Sequence, residues 1–401
     1  MINRSVLICG LVAVFSAFAI QAQAIDFSLS PDIYLRAGAL YQSTEFDYHS
    51  AYIKYLRAHG TDQGFEEQFI SDRTDNDIFL DEASIGLSAK AGEHVAGHAS
   101  LIWERIYSEK GMPDLDTAYI KFIMKSLSFE IGRDYLYMAQ FASKSVFDPW
   151  TQRLAETRAD VLTIDFDALL LKLWGSALKG QYPVNPKPDE SSIEDYAAGI
   201  ELRPLAMRND MSLKLGASYL SDICETKFGF GKLVTKSTPE TILALVDTNG
   251  DGVQDTWVEI TVGERENVYE RRVDLWTIYE YFQFSLAPDI DLGLDFEYSF
   301  AGRSFKRTDL TDSIGHEARP AAYNAELWVR LYGVLNVAAR MQGAKDFQPF
   351  STQADEAREI GPIVAFTLGS NLTVSLEYMY GEDSDKDTWN KAMVGVELRA
   401  P

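Results

Sequence analysis

Between Ile290 and Phe300 the chain alternates with a period of two residues. Leu292, Leu294, Phe296, Tyr298 and Phe300 fall on one side of an extended backbone, and Asp291, Gly293, Asp295, Glu297 and Ser299 on the other. One face is apolar and aromatic; the opposite face is charged or small. Such a strand can lie on the core of a soluble sandwich. It also fits a barrel wall that turns its apolar face to lipid and its charged face to a wet lumen.

The number and spacing of similar segments decide between these readings. Sixteen can be traced, from Asp32–Tyr41 to Thr388–Ala400. Connections after odd-numbered segments are mostly long and polar, as in 42–76, 135–159, 222–270, 301–319 and 343–358. Those after even-numbered ones are mostly tight, as at Ala91–His94, Ala287–Asp289, Tyr332–Val334 and Gly369–Asn371. A sandwich has no reason to alternate loop lengths, whereas an outer-membrane barrel has long loops on one side and short turns on the other. The expected fold is all-β: a transmembrane antiparallel barrel of about sixteen strands. Two segments fit less well. Arg272–Leu286 carries aromatics on both faces, Tyr279 and Tyr281 on one and Trp276, Phe282 and Phe284 on the other. The chain also ends Glu397-Leu398-Arg399-Ala400-Pro401, without the terminal aromatic usual in such barrels.

Export is the second requirement. In residues 1–24, Arg4 precedes an apolar run and Ala22-Gln23-Ala24 supplies a small-x-small cleavage pattern, which reads as a secretory signal peptide. The barrel then occupies 25–401, in the bacterial outer membrane, with lipid and lipopolysaccharide as its surroundings. Only Cys224 lies beyond the leader, so an intramolecular disulfide is excluded. A net charge of −23 excludes a nucleic-acid partner. Aromatic content of 12% is too high for a disordered acidic chain and suits interfacial girdles.

Sixteen tilted strands enclose an aqueous channel. The inward positions are mixed in sign: Glu104, Lys121, Glu130, Lys172, Lys214, Asp295, Glu297, Glu326, Arg330, Arg340, Glu377 and Lys391. Opposed acids and bases there would set up a transverse field that sorts permeants by charge. The segment Tyr135–Ala159 holds Tyr135, Tyr137, Phe141, Phe147 and Trp150, too many aromatics for a solvated loop. Its expected place is inside the barrel, narrowing the bore.

The run IGRDYLYMAQFASKSVFDPWTQRLAETR resembles a pattern of the LbtU-type siderophore porins. In that family a strand ending in Gly-Arg leads into an aromatic-rich loop, then Asp-Pro, then Glu-Thr-Arg before the next strand. The matching positions are Gly132, Arg133, Phe141, Asp148, Pro149, Glu156, Thr157 and Arg158; Tyr137-Met138-Ala139 stands where the family usually shows Pro-Phe-Gly. The resemblance implies passage of a ferric siderophore through an outer-membrane channel without an energy-coupling plug, as part of iron acquisition. Arg133, Tyr137, Phe141, Asp148, Glu156 and Arg158, with Lys121, Glu297, Glu326, Arg330 and Arg340 of the wall, are the expected constriction residues.

A second motif, Asp247-Thr-Asn249-Gly-Asp251-Gly-Val253-Gln-Asp255, spaces oxygen ligands as a calcium loop does, with Gly252 for the bend and a backbone carbonyl at Val253. The twelfth position is Val258, not Glu, so the match to an EF-hand is incomplete. Flanking segments Thr241–Val246 and Thr256–Val262 read as a hairpin on an external loop. Ten acidic and four basic residues in 222–270 would draw divalent cations there.

His49, His59, His94, His98 and His316 are scattered, and no nucleophile elbow or metal-ligand cluster appears, so the chain does not read as an enzyme. The His98/Ser100 pair on one strand face is the nearest approach to a catalytic arrangement. The sequence therefore predicts a passive uptake channel, with a ferric siderophore as the substrate implied by resemblance. A general cation-preferring porin and a calcium-stabilised surface-binding barrel are the alternatives. Homotrimers are expected by analogy with other sixteen-stranded porins.

Overall fold

The structure is a computed structural model. It describes residues 27–45, 73–104, 113–179, 195–205, 208, 210–226, 240–246, 256–262, 272–306, 317–346, 356–369, 371–384 and 387–400. The leader at 1–24 and the calcium-type motif at 247–255 lie outside them.

The strands of the first half are Phe27–Glu45 (β1), Arg73–Ala91 (β2), Val95–Glu104 (β3), Asp114–Met124 (β4), Leu127–Tyr135 (β5), Arg158–Asp167 (β6), Leu171–Leu178 (β7), Asp195–Leu202 (β8) and Met211–Leu220 (β9). A separate hairpin, Glu240–Val246 (β10) and Thr256–Val262 (β11), follows. The second half comprises Leu275–Ala287 (β12), Ile290–Ala301 (β13), Ala321–Leu331 (β14), Leu335–Lys345 (β15), Glu356–Leu368 (β16), Leu372–Asp383 (β17) and Thr388–Ala400 (β18). One short helix, Trp150–Ala155 (α1), lies in the connection between β5 and β6.

Sixteen strands, all but β10 and β11, form one closed antiparallel barrel. β9 pairs directly with β12, and β18 pairs with β1 from Ile33↔Ala400 to Glu45↔Thr388. Closure leaves no open sheet edge, the condition for spanning a bilayer with strands. The seam closes without a terminal aromatic.

Facing follows the alternation. In β13, Asp295 and Glu297 are buried within, while Leu294 is 38% exposed outside. Ile85, Leu87, Leu101, Leu162, Leu327, Leu376 and Leu398 are likewise exposed on the outer surface. A soluble protein does not display large aliphatic side chains on strand after strand. This outer face is built for lipid. β12, whose facing the sequence leaves open, resolves cleanly: Trp276 and Ile278 are exposed outside, and Tyr279 and Tyr281 are buried inside. Inward rings are tolerated because their hydroxyls meet carboxylates, Tyr279 with Glu201 and Tyr281 with Glu297.

Two bulges alter the inner wall. Between β1 and β2 the register passes from Arg36↔Glu82 to Ala37↔Leu80, leaving Asp81 as an extra residue. Between β3 and β4 it passes from Ser100↔Thr117 to Leu101↔Leu115, leaving Asp116 extra. A bulge lets two successive residues share a face. Asp81 and Glu82 both reach Arg36, and Asp116 and Thr117 both reach Ser100. Each bulge thus adds a carboxylate to the lumen.

Candidate functional site: the infolded segment and the passage beside it

After Tyr135 the chain turns into the barrel, and Leu136 N donates to Thr157 O at 2.9 Å to close the base of the segment. Peptide groups inside the barrel have no strand to pair with, so the wall must accept from them. Ala142 N donates to Glu297 Oε1 (3.0 Å), Lys144 N to Glu326 Oε1 (2.7 Å), Val146 N to Ser375 Oγ (3.1 Å) and Trp150 N to Gln342 Oε1 (3.2 Å). Glu297, fully buried, also accepts from the Tyr281 and Thr151 hydroxyls, each at 2.5 Å. Arg340 lies between Glu326 (3.1 Å) and Glu377 (3.3 Å) and also meets Ser143 of the segment. Lys144 reaches Asp295 at 3.3 Å and sits 4.1 Å over the Trp328 ring centroid.

The far end of the segment rests in a socket. Gly38 and Gly395 face each other across the β1–β18 seam. A Cβ on Gly38 would come within 2.8 Å of the Phe147 ring, and one on Gly395 within 2.8 Å of Val146. No larger residue leaves room for the segment there. Beside the socket, Arg36 binds Asp148 in bidentate fashion at 2.6 and 2.9 Å. On the return, Arg158 pairs with Asp114 (2.7 Å) and Asp116 (3.3 Å). Tyr135 donates to Asp116 at 2.6 Å. At the entry, Tyr137 donates to Glu201 (2.8 Å) while Lys172 stacks 3.7 Å over its ring centroid.

On one side the segment merges into an apolar core. Trp150 and Leu154 of α1 belong to the same buried cluster as Val161, Leu178, Leu220, Ile223, Leu275 and Phe305 from the wall of β6–β14 and its connections. On the other side, against β18, β1, β2, β4 and β5, a cavity of about 970 Å³ remains. Its lining runs from Asp116 and Tyr135, near the long-loop ends of their strands, to Asn371 and Ala400 at the short-turn end, past Arg36, Asp148 and Glu82 midway. The infolded segment therefore closes part of the bore and leaves a passage against one wall.

Several expected constriction residues hold different places. Arg133 stands opposite Ala118 and Asp160, in the register of exposed Ile131 and Leu162, so it belongs to the outer face and not the bore. Arg330 pairs with Asp291 (2.5 Å) near the short turns, away from the infolded segment. Lys121 pairs with neighbouring Glu130 at 3.4 Å. Glu297, Glu326 and Arg340 are consumed in holding the segment, because the amides buried there need acceptors. Phe141, with φ of 47°, and Asp148 and Glu156 do line the passage. Arg36, Asp81 and Glu82 are added to the site by the structure. His98 and Ser100 do not form a relay: His98 Nδ1 meets Ser88 Oγ at 2.9 Å, and Ser100 meets Thr117.

Apolar outer face, closed wall and infolded segment together define a membrane-spanning barrel with a narrowed bore. No family model and no curated protein matches the sequence. Solved structures do. The barrel is similar to an anion-selective porin from Comamonas acidovorans (TM-score 0.54, 9% identity, covering 94% of this chain and 100% of that one). It is also similar to a loop L8 deletion mutant of OmpT, an outer membrane protein of Vibrio cholerae (0.52, 12%, 93% and 99%). A third likeness is to the outer membrane channel DcaP of Acinetobacter baumannii (0.51, 12%, 93% and 97%). At these identities the likeness is one of fold.

Proposed function

We propose that the protein is an outer-membrane channel for passive uptake of small solutes, with a preference for cations. The observation that carries this reading is the lining of the passage. Asp32, Glu82, Asp116, Asp148, Glu156 and Glu397 face it, against Arg36 and Arg399. A water-filled slot with low-dielectric walls and an excess of one sign concentrates ions of the other. The solved Comamonas acidovorans porin is anion-selective; the charge along this passage favours the opposite sign.

The siderophore reading is a second proposal, and one observation both supports and weakens it. Of the positions shared with the LbtU-type pattern, Asp148 and Arg158 serve as latches and Thr157 O closes the base. The motif therefore supports a common infolded segment, but it reports how the segment is held more directly than what passes it. Homotrimeric assembly is part of the proposal, supported by the trimer form in which Vibrio cholerae OmpT has been solved. Calcium at Asp247, Asn249, Asp251, Val253 and Asp255 is proposed from the motif and from β10 and β11, which end and begin on either side of it.

The test is a single-channel recording of residues 25–401 refolded into a planar bilayer under a KCl gradient. A reversal potential biased toward K⁺ is expected, reduced by Glu82→Gln and Glu156→Gln. An anion-biased potential, or no conductance from folded protein, overturns the reading. Block of the current by micromolar ferric siderophore would make the second proposal the better one.

A further inference from the structure

We infer that the passage beside the infolded segment recognises organic cations that carry an amine on an apolar body, in preference to inorganic cations. The inference rests on the channel reading above and names its substrate class. The first observation is spacing. Among the described residues, the carboxylates that converge closely enough for one metal ion are Asp195, Asp222 and Glu225, which do not line the passage. Glu82, Asp116 and Glu156 instead come from three separate elements and are strung along the slot. Carboxylates so spread do not chelate an ion. They suit a molecule long enough to move its charge from one to the next.

The second observation is the apolar share of the same wall. Tyr34, Tyr135, Phe141 and Phe147 line the slot together with the acids. Aromatic faces attract ammonium groups and accept aliphatic or aromatic bodies, which a hydrated metal ion cannot exploit. Size agrees as well. A cavity of about 970 Å³ admits a small organic solute with room to turn. Arg36 at mid-passage faces three carboxylates, Asp81, Glu82 and Asp148, so that cluster as a whole stays negative and does not repel a cation.

The test uses the full barrel in a planar bilayer with 1,8-diaminooctane, Mg²⁺ and uncharged 1,8-octanediol as probes. Expected is transient block by the diamine at a concentration about tenfold below that needed for Mg²⁺, with no block by the diol. Glu82→Gln with Glu156→Gln should remove most of that preference. Phe141→Gln should weaken block by the diamine more than block by Mg²⁺; heat-modifiable gel mobility verifies folding of each variant. Equal block by Mg²⁺ and diamine, with a cation-biased reversal potential, overturns this inference and leaves the channel reading standing. An anion-biased potential, or no conductance from folded protein, overturns both.

Discussion

Arg36 and Asp148 are joined by two parallel hydrogen bonds of 2.6 and 2.9 Å, linking the first strand to the far end of a segment that enters the barrel after the fifth. Arg36 also contacts Asp81 and Glu82, and its side chain is 10% exposed. Removing one partner of a buried, hydrogen-bonded ion pair typically costs about 3–5 kcal/mol. Here that cost falls on the attachment of the segment, because the barrel ladder does not depend on it. Asp148→Ala should therefore give a folded barrel with larger, noisier single-channel currents. Arg36→Met should do the same and shift the reversal potential further toward K⁺, since it also removes a positive charge. Unchanged current amplitudes in both variants would show that the segment is held elsewhere.

The glycine socket gives an independent test of the same seating. Gly38→Leu or Gly395→Leu puts atoms where Phe147 and Val146 lie, while both positions remain ordinary strand sites on the β1–β18 seam. Each should displace the tip of the segment and raise conductance with little loss of heat-modifiable mobility. Double substitution of Gly38 and Asp148 should add little to either alone, because both act on one attachment.

Much of this architecture is legible in the sequence. Strand periodicity locates every barrel strand because the outward positions that meet lipid are predominantly apolar. The aromatic density of Tyr135–Ala159 marks a segment that cannot stay in water. What alternation cannot reveal is where it slips. Asp81 and Asp116 are bulged residues, and a reading with a strict period of two sends them to the wrong face. Arg36 carries no local signal, since its importance comes from Asp148, more than a hundred residues away. Arg133 shows the converse: a motif position beside the infolded segment whose strand register faces out. Glu297, Glu326 and Arg340 are correctly placed inside. Their use as acceptors and clamps depends on a backbone path that no pattern specifies.

The hairpin of β10 and β11 leads to a calcium prediction. The nine-residue connection 247–255 carries the oxygen-rich motif, and extracellular calcium modules bind at roughly 0.1–1 mM. Calcium in that range should slow proteolytic cleavage within 222–270 and chelator should restore it. Asp251→Asn should abolish the protection without altering conductance. Equal cleavage with and without calcium would reduce the motif to a polar turn.

Asp222 offers a test of pH dependence outside the spanning strands. It is fully buried at the start of the short 3-10 turn after β9, where its Oδ1 accepts from Cys224 N at 3.0 Å. Burial, reinforced by nearby Asp195 and Glu225, pushes its carboxyl well above the ordinary range. For an acid with a raised folded-state pKa, the protonated form is favoured by folding. Its charging opposes the fold as pH rises from the unfolded value toward the folded one. Asp222→Asn keeps the acceptor for Cys224 and removes the charge. The variant should melt above the parent at neutral pH, by roughly 2–4 °C for each kcal/mol relieved. The difference should fade as pH drops below about 4, where Asp222 is neutral in both states. A thermal scan in detergent at several pH values checks the sign. A variant that melts lower at neutral pH would mean that the charged form is bound by its surroundings, with Arg272, 3.6 Å from Asp195, the first group to examine.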